Sequence, residues 1–359
     1  MSVPNAKFEI MENEGLRRHR HRKCLWLSVA AGILALIALA LGLGLGLGLK
    51  NGSGSGSDSG TAPPVPTCTG NCTYNGTTLS LRTPWQIMLS ETLTLDNQTS
   101  TTNDAAASTT VSLVTPNPSS EPNVTLYDID MFLHQNLTVV RDLRAQGMDV
   151  ICYFSSGSYE PDRPDSWKFK DSDKGNELDG WPGEYWLDLN SDNVRQIMTA
   201  RIEIAAQMNC TGIDPDNVDG YDNDNGLGLT QDDSVSFMRF LAQEAATRGM
   251  MTGLKNAGDI IDDVIDYVQF SVNEQCAQYD ECDSFSAFPE AGKPVFHIEY
   301  PAGTDDTTKT SFDTNTVSKY CNVDVDAGAD GFNTVLKYMN LSGWVQYCDD
   351  KTYITSGLS

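Results

Sequence analysis

Beyond residue 80, short apolar runs alternate with amphipathic segments along this 359-residue chain, a pattern that points to an α/β architecture. The strand-like runs are Trp85–Leu89, Thr125–Ile129, Asp149–Phe154, Tyr185–Leu189, Gly212–Asp216, Thr252–Leu254, Tyr267–Val272 and Pro294–Ile298. They are nearly continuous in apolar residues, as strands buried on both faces of a parallel sheet must be. Between them His134–Gln146, Asp192–Met208, Asp232–Arg248 and Ile260–Asp266 read as helices. In the third, Val235, Phe237, Met238, Phe240, Leu241 and Ala245 make one face at helical spacing. Asp192 and Thr230 stand where N-caps belong, Gly147 and Gly249 where C-caps belong. Eight runs predict a (β/α)8 TIM-type barrel. Gly331–Leu336 is a ninth candidate, so one run is surplus.

The N-terminal part follows different rules. Cys24 to Leu49 is a 26-residue stretch without a charge, long enough to span a bilayer as a single helix. Arg17, Arg18, Arg20, Arg22 and Lys23 precede it, which predicts a cytosolic N-terminus and a luminal or extracellular C-terminal bulk. The expected organisation is a basic tail (1–23), a transmembrane signal anchor (24–49), a Gly/Ser/Pro-rich linker (50–80) and a barrel domain (81–359), in a type II single-pass arrangement. Seven Asn-x-Ser/Thr sequons, at Asn71, Asn75, Asn97, Asn123, Asn136, Asn209 and Asn340, all follow the span. So do eight of the nine cysteines, an even number that suggests disulfides in an oxidising compartment, with Cys68/Cys72 and Cys276/Cys282 as plausible close pairs. Residues 97–123 are Ser/Thr-rich and read as a loop insertion.

Charge narrows the partners. Beyond residue 50 there are 17 basic and 46 acidic side chains, a net of −29. Such a surface repels nucleic acid and attracts polycations; acidity also simply confers solubility. No phosphate-cradling glycine motif is present, and with four histidines, two of them in the tail, a Ser-His-Asp arrangement is poorly supported. The expectation is a monomer with no cofactor and no resident metal. The DNDNG segment lacks the spacing of a calcium loop, and Asp219, Asp222 and Asp224 read as turn residues.

Barrel sites use strand ends. Here those ends carry Asp128 and Asp130 (YDID), Tyr153 (ICYF), Asp188 (WLDL), Asp214 and Asp216 (GIDPDNVDGY), Lys255 and Asn256 (GLKN), Glu274 (SVNEQC) and Glu299 (FHIEY). Gathering like charges at one mouth costs stability, whereas sugar hydrolysis needs two carboxyls in different roles. Trp181, Trp186, Tyr153 and Tyr159 offer flat surfaces for sugar rings. His297 lies in an apolar run and reads as core; His134 reads as an exposed helix residue. The long connection from Tyr153 to Tyr185 is expected to help shape a site.

Taken in order, YDIDMF, VICYFSSGSYEPDRPD, GWPGEYWLDL, VRQIMTARI, GIDPDNVDGYDN, TGLKNAGD and FSVNEQC resemble the family-114 glycoside hydrolases, endo-α-1,4-polygalactosaminidases and their relatives. The resemblance implies a barrel that cuts α-1,4-linked galactosamine-rich polymer internally. By position it implies Asp216 as nucleophile and Glu274 as the acid that protonates the leaving oxygen. Asp214 is a near rival for Asp216, since side chains two apart in a strand share a face. Asp128, Asp130, Tyr153, Asp214, Asn217, Lys255, Asn256 and Glu299 are the expected substrate-holding residues, and a cationic amino-sugar polysaccharide is the expected partner. Glu274 is expected to be kept protonated and Asp216 ionised. Two other readings remain: a Golgi-type glycosyltransferase using Asp-x-Asp at Asp128–Asp130 or Asp214–Asp216, and a non-catalytic wall-polysaccharide binder.

Overall fold

Eight strands run parallel to their neighbours in one sheet: β1 Trp85–Met88, β2 Leu126–Asp130, β3 Asp149–Ser155, β4 Gly212–Asp216, β5 Met251–Lys255, β6 Phe270–Glu274, β7 Val295–Glu299 and β8 Phe332–Leu336. Their spatial order is their chain order, as βα units produce. The computed structural model describes residues 73–74, 77–94, 110–111, 124–301, 311–322, 331–355 and 357–358. The expected tail, the anchor at 24–49, most of the linker and of the insertion, and the Cys68/Cys72 pair lie outside the described residues. Among the described residues no helix is long and apolar enough to cross a membrane.

The sheet curls until its first and eighth strands meet through side chains. Trp85 Nε1 donates to the Asn333 carbonyl at 2.7 Å, and Asn333 Nδ2 donates to the Leu81 carbonyl at 2.9 Å. A hairpin of β9 Trp344–Tyr347 and β10 Thr352–Thr355 continues antiparallel beyond β8, and the backbone of Thr110–Val111 pairs with β10. The main crossovers carry α1 Val139–Ala145, α2 Asp192–Met208, α3 Gln231–Thr247 and α4 Thr314–Cys321.

Alternation along each strand sorts the side chains into two apolar clusters. Trp85, Ile151, Met251, Phe270, Phe296 and Val335 pack together on the concave side. Ile129, Val150, Phe154, Ile213, Leu254 and Val295 pack with the helices. Phe270 fits because β5 has a glycine beside it: a Cβ at Gly253 would stand 2.3 Å from the Phe270 ring.

Eight of the nine expected runs are strands of this sheet. The surplus run is Tyr185–Leu189: Tyr185–Leu187 instead pairs antiparallel with Ser158–Tyr159 and Lys174–Glu177 in a separate small sheet. Its apolar character has a cause other than the parallel sheet, because Leu187 and Leu189 are fully buried in the same apolar cluster as Phe169 of the loop that follows β3. The expected His134–Gln146 helix also divides. Asp130 Oδ1 accepts from the Leu133 backbone N–H and caps a short turn at Met131–His134, and α1 begins only at Val139. His134 is fully buried rather than exposed; its Nδ1 meets the Asp130 carbonyl and its Nε2 accepts from the Leu93 backbone N–H. The α2 cap is Ser191, one residue before Asp192, while Thr230 caps α3 reciprocally with Asp233. Gly147 and Gly249 take the left-handed conformation that ends a helix. His297 is core, as expected.

Three disulfides join described residues: Cys152–Cys210, Cys276–Cys282 and Cys321–Cys348. The first ties β3 to the residue two before β4. The second closes the turn directly after Glu274.

Gly253→Ala should lower unfolding free energy by about 1–3 kcal/mol in denaturant titration, the range for overfilling a packed core. A variant as stable as the parent would show that Phe270 has room to move.

Candidate active site

Three neighbouring strands end in ionisable side chains on the concave face: Asp216 on β4, Lys255 on β5 and Glu274 on β6. Each is followed at once by a non-glycine residue in the left-handed region: Asn217 (φ 62°), Asn256 (φ 49°) and Gln275 (φ 60°). Such conformations cost free energy and cluster where a fold must place functional groups. They turn the chain sharply at the strand end, leaving the preceding side chain at the rim.

Lys255 joins the other two. Its Nζ donates to Asp216 Oδ1 at 3.2 Å and to Glu274 Oε2 at 2.9 Å. The lysine side chain is 5% exposed, whereas Asp216 and Glu274 are 17% and 20% exposed, so the carboxylates are what a ligand can reach. Asp216 also accepts from the Tyr153 hydroxyl at 2.8 Å and from the Asn217 backbone N–H at 2.8 Å. Glu274 accepts from the Tyr300 hydroxyl at 2.5 Å and from Asn256 Nδ2 at 3.2 Å. Asn256 Oδ1 in turn accepts from the Glu274 backbone N–H.

These contacts set the protonation of Glu274. Burial by itself would raise its pKa, but the Lys255 charge and donors from Tyr300, Lys255 and Asn256 outweigh burial and hold it below the usual carboxylate range. The expectation of a protonated Glu274 is therefore not met in the free site. Lys255 is held well above its ordinary value, its burial outweighed by Asp216, Glu274 and Asp214.

The remaining expected residues fall into three groups. Tyr153, Asn217 and Asn256 join the cluster; the Asn217 side chain itself is tied to the Ser158 hydroxyl at 2.8 Å. Asp128 and Asp214 lie beneath it, 1% and 0% exposed. Asp130 and Glu299 are engaged elsewhere. Asp130 Oδ2 pairs with Arg163 at 2.7 Å, fastening the loop after β3 to the end of β2. Glu299 is on the opposite face of β7, where it accepts from the Ala277 backbone N–H and meets His297 Nε2. Asp188 Oδ1 accepts from the Asn190 backbone N–H, outside the parallel sheet.

Two contributors were not among the expected residues. Tyr300 lies one residue past β7, in phase with Phe296 and Ile298 on the concave face. Arg201 on α2 is fully buried and grips Asp165 through two bonds of 2.9 and 2.8 Å and the Ser155 carbonyl through a third, between the rings of Phe132 and Phe169. It anchors the expected site-shaping loop. Cys276, Cys282 and His297 are close enough together to suggest a metal site, but both cysteines are spent in a disulfide.

The model of glycoside-hydrolase family GH114 matches residues 85–353, a span that contains all eight parallel strands. The chain belongs to that family. It is therefore a glycoside hydrolase. Among solved structures it is similar to Ega3 of Aspergillus fumigatus, crystallised as a complex with galactosamine, at 48% identity over 78% of this chain and 100% of that one, with a TM-score of 0.65. The glycoside hydrolase domain of PelA from Pseudomonas aeruginosa aligns over 72% of this chain and 95% of that one at 13% identity, with a TM-score of 0.47. No curated protein matches.

Tyr300→Phe removes a donor that favours the ionised Glu274, so the Glu274 carboxyl should titrate at higher pH than in the parent, read by ¹³C NMR of labelled glutamate. A titration at the same or lower pH would show that the phenol does not stabilise the carboxylate.

Proposed function

We propose that this hydrolase cuts galactosamine-rich polysaccharide internally, with Asp216 as nucleophile and Glu274 as acid and then base. The observation that carries the reading is the single ammonium shared by two rim carboxylates on neighbouring-but-one strands. Because both contacts are short, the two oxygens bound to Lys255 are at most about 6 Å apart, below the roughly 6.5–9.5 Å of inverting enzymes and compatible with the roughly 5–5.5 Å of retaining ones. The reading is therefore one of retained configuration, within a closed (β/α)8 barrel.

In the first step Asp216 attacks the anomeric carbon while Glu274 delivers its proton to the departing oxygen. Asp216 is poised by Tyr153, Lys255 and its own following N–H. Once Asp216 carries the sugar, its charge is spent and Lys255 faces Glu274 alone. That favours ionised Glu274, the form needed to take a proton from the attacking water. The first step uses the fraction of enzyme in which Glu274 is protonated. With the Glu274 pKa lowered, kcat/KM should be greatest in acid and fall toward neutrality.

The substrate assignment draws on the similarity to Ega3, solved with galactosamine, and on the acidic surface, which would concentrate a polymer bearing free amines. The anchor at 24–49 and the run of sequons support a type II protein with its catalytic domain outside or in the lumen. A metal-dependent transferase is disfavoured, since Asp130 of one Asp-x-Asp is paired with Arg163 and Asp214 of the other is sealed beneath the rim.

Incubating residues 67–359 with galactosamine-rich polysaccharide should release oligosaccharides detectable by mass spectrometry. Asp216→Asn and Glu274→Gln should each lose several orders of magnitude in turnover, of the size expected for a reacting carboxyl, with unfolding transitions kept. Parent-like release by either variant would remove these assignments; saturable binding with no oligosaccharides from the parent would make the protein a binder.

A further inference from the structure

Below the rim, Asp128 from β2 and Asp214 from β4 project toward each other from either side of β3, the placement that alternate strands give in a barrel interior. Both are essentially inaccessible to solvent. None of their four carboxyl oxygens meets a donor among the described residues. Two ionised carboxylates so placed would face each other, buried and with no protein donor among the described residues, a cost that proteins avoid by keeping a proton. The groups around them do not relieve it. Lys255 on β5 is the cation facing both, but its charge is already shared by Asp216 and Glu274. Asp216 and Glu274 add negative charge, and Tyr153 on β3 gives its proton to Asp216. Asp130 on β2 is paired with Arg163, and Tyr300 with Glu274.

We propose that Asp128 and Asp214 are positioning residues kept in the acid form, a hydrogen-bonded carboxyl pair beneath Lys255 that leaves its ammonium to Asp216 and Glu274. An ionised carboxylate there would draw the ammonium down, away from the rim. The inference rests on the reading of Asp216 and Glu274 as the reacting pair. Burial, and after it the neighbouring carboxylates, agree with it: Asp214 is raised to about 8 by burial with Asp216 and Glu274 nearby, and Asp128 is held well above its ordinary value by burial and by Asp214. The pair also carries a stability signature. Between about pH 4 and 8 the unfolded chain has released protons that this pair keeps in the folded chain, so the pair's contribution to stability falls as pH rises through that window.

Infrared spectroscopy of the intact protein tests this without any activity. A protonated-carboxyl stretch should be present at pH 7 and lost in the Asp128→Asn/Asp214→Asn double variant. Asp214→Asn should be as stable as the parent near pH 4 and progressively more stable than it toward pH 8. In turnover, Asp214→Leu should lose at least tenfold in kcat with KM unchanged, and Asp214→Asn should lose less. Absence of the carboxyl stretch, or parallel pH–stability curves, would overturn the acid-form pair. Asp214→Asn as inactive as Asp216→Asn would make Asp214 a reacting group, and a raised KM with kcat kept would make it a substrate contact; either would overturn the positioning role. If the first two measurements hold while no substrate is cut, it is the glycosidase assignment that has failed.

Discussion

One ammonium holds this site together. Asp216 and Glu274 would repel each other across the rim, and Lys255, buried between them, turns that repulsion into a fixed geometry. In a site partly shielded from water the attraction is far stronger than on a surface, and without the lysine the two carboxylates would face each other unanswered. The lysine is in turn constrained from behind, where β2 and β4 bring two carboxyls that cannot both ionise. The chemistry therefore depends on where protons reside as much as on where side chains point.

The scaffold makes that arrangement rigid. Large apolar side chains fill the lower part of the concave face, with Gly253 yielding space to Phe270, and charged groups begin only toward the strand ends. Each of the three central strand ends is followed by a residue in left-handed conformation, so that Asp216, Lys255 and Glu274 sit at the rim. The loop after β3 is fastened twice, by Arg201 to Asp165 from α2 and by Arg163 to Asp130 from β2. Buried guanidiniums suit this work because their fixed fork answers a carboxylate with two bonds at once.

Much of this was legible from residue order. Continuous apolar runs ending in carboxylates marked the parallel strands, and Asp216, Lys255 and Glu274 stood out as strand-end groups. What failed had physical causes. The Tyr185–Leu189 run is apolar because Leu187 and Leu189 are buried in the core although the strand belongs to the small antiparallel sheet, and apolarity alone does not tell a strand's sheet. Glu299 was expected at the site as a strand-end carboxylate, but β7 is apolar on both faces, so its pattern does not reveal which phase looks inward; Tyr300, one residue on, has the phase of Phe296 and Ile298. His134 looked like a surface helix residue, since nothing local foretold that the Leu93 backbone would reach it. The protonation of Glu274 depends on donors from β5 and β7, which only the assembled fold brings together.

The central claim is that the carboxylate bridged to Glu274 by Lys255 bonds covalently to the sugar. A fluorinated galactosaminyl substrate that slows breakdown of the intermediate, followed by proteolysis and peptide mass mapping, tests it directly. The account predicts one added glycosyl mass on the peptide bearing Asp216, localised to that side chain. The mass on Asp214 or Glu274, or no adduct together with product of inverted configuration, would contradict it.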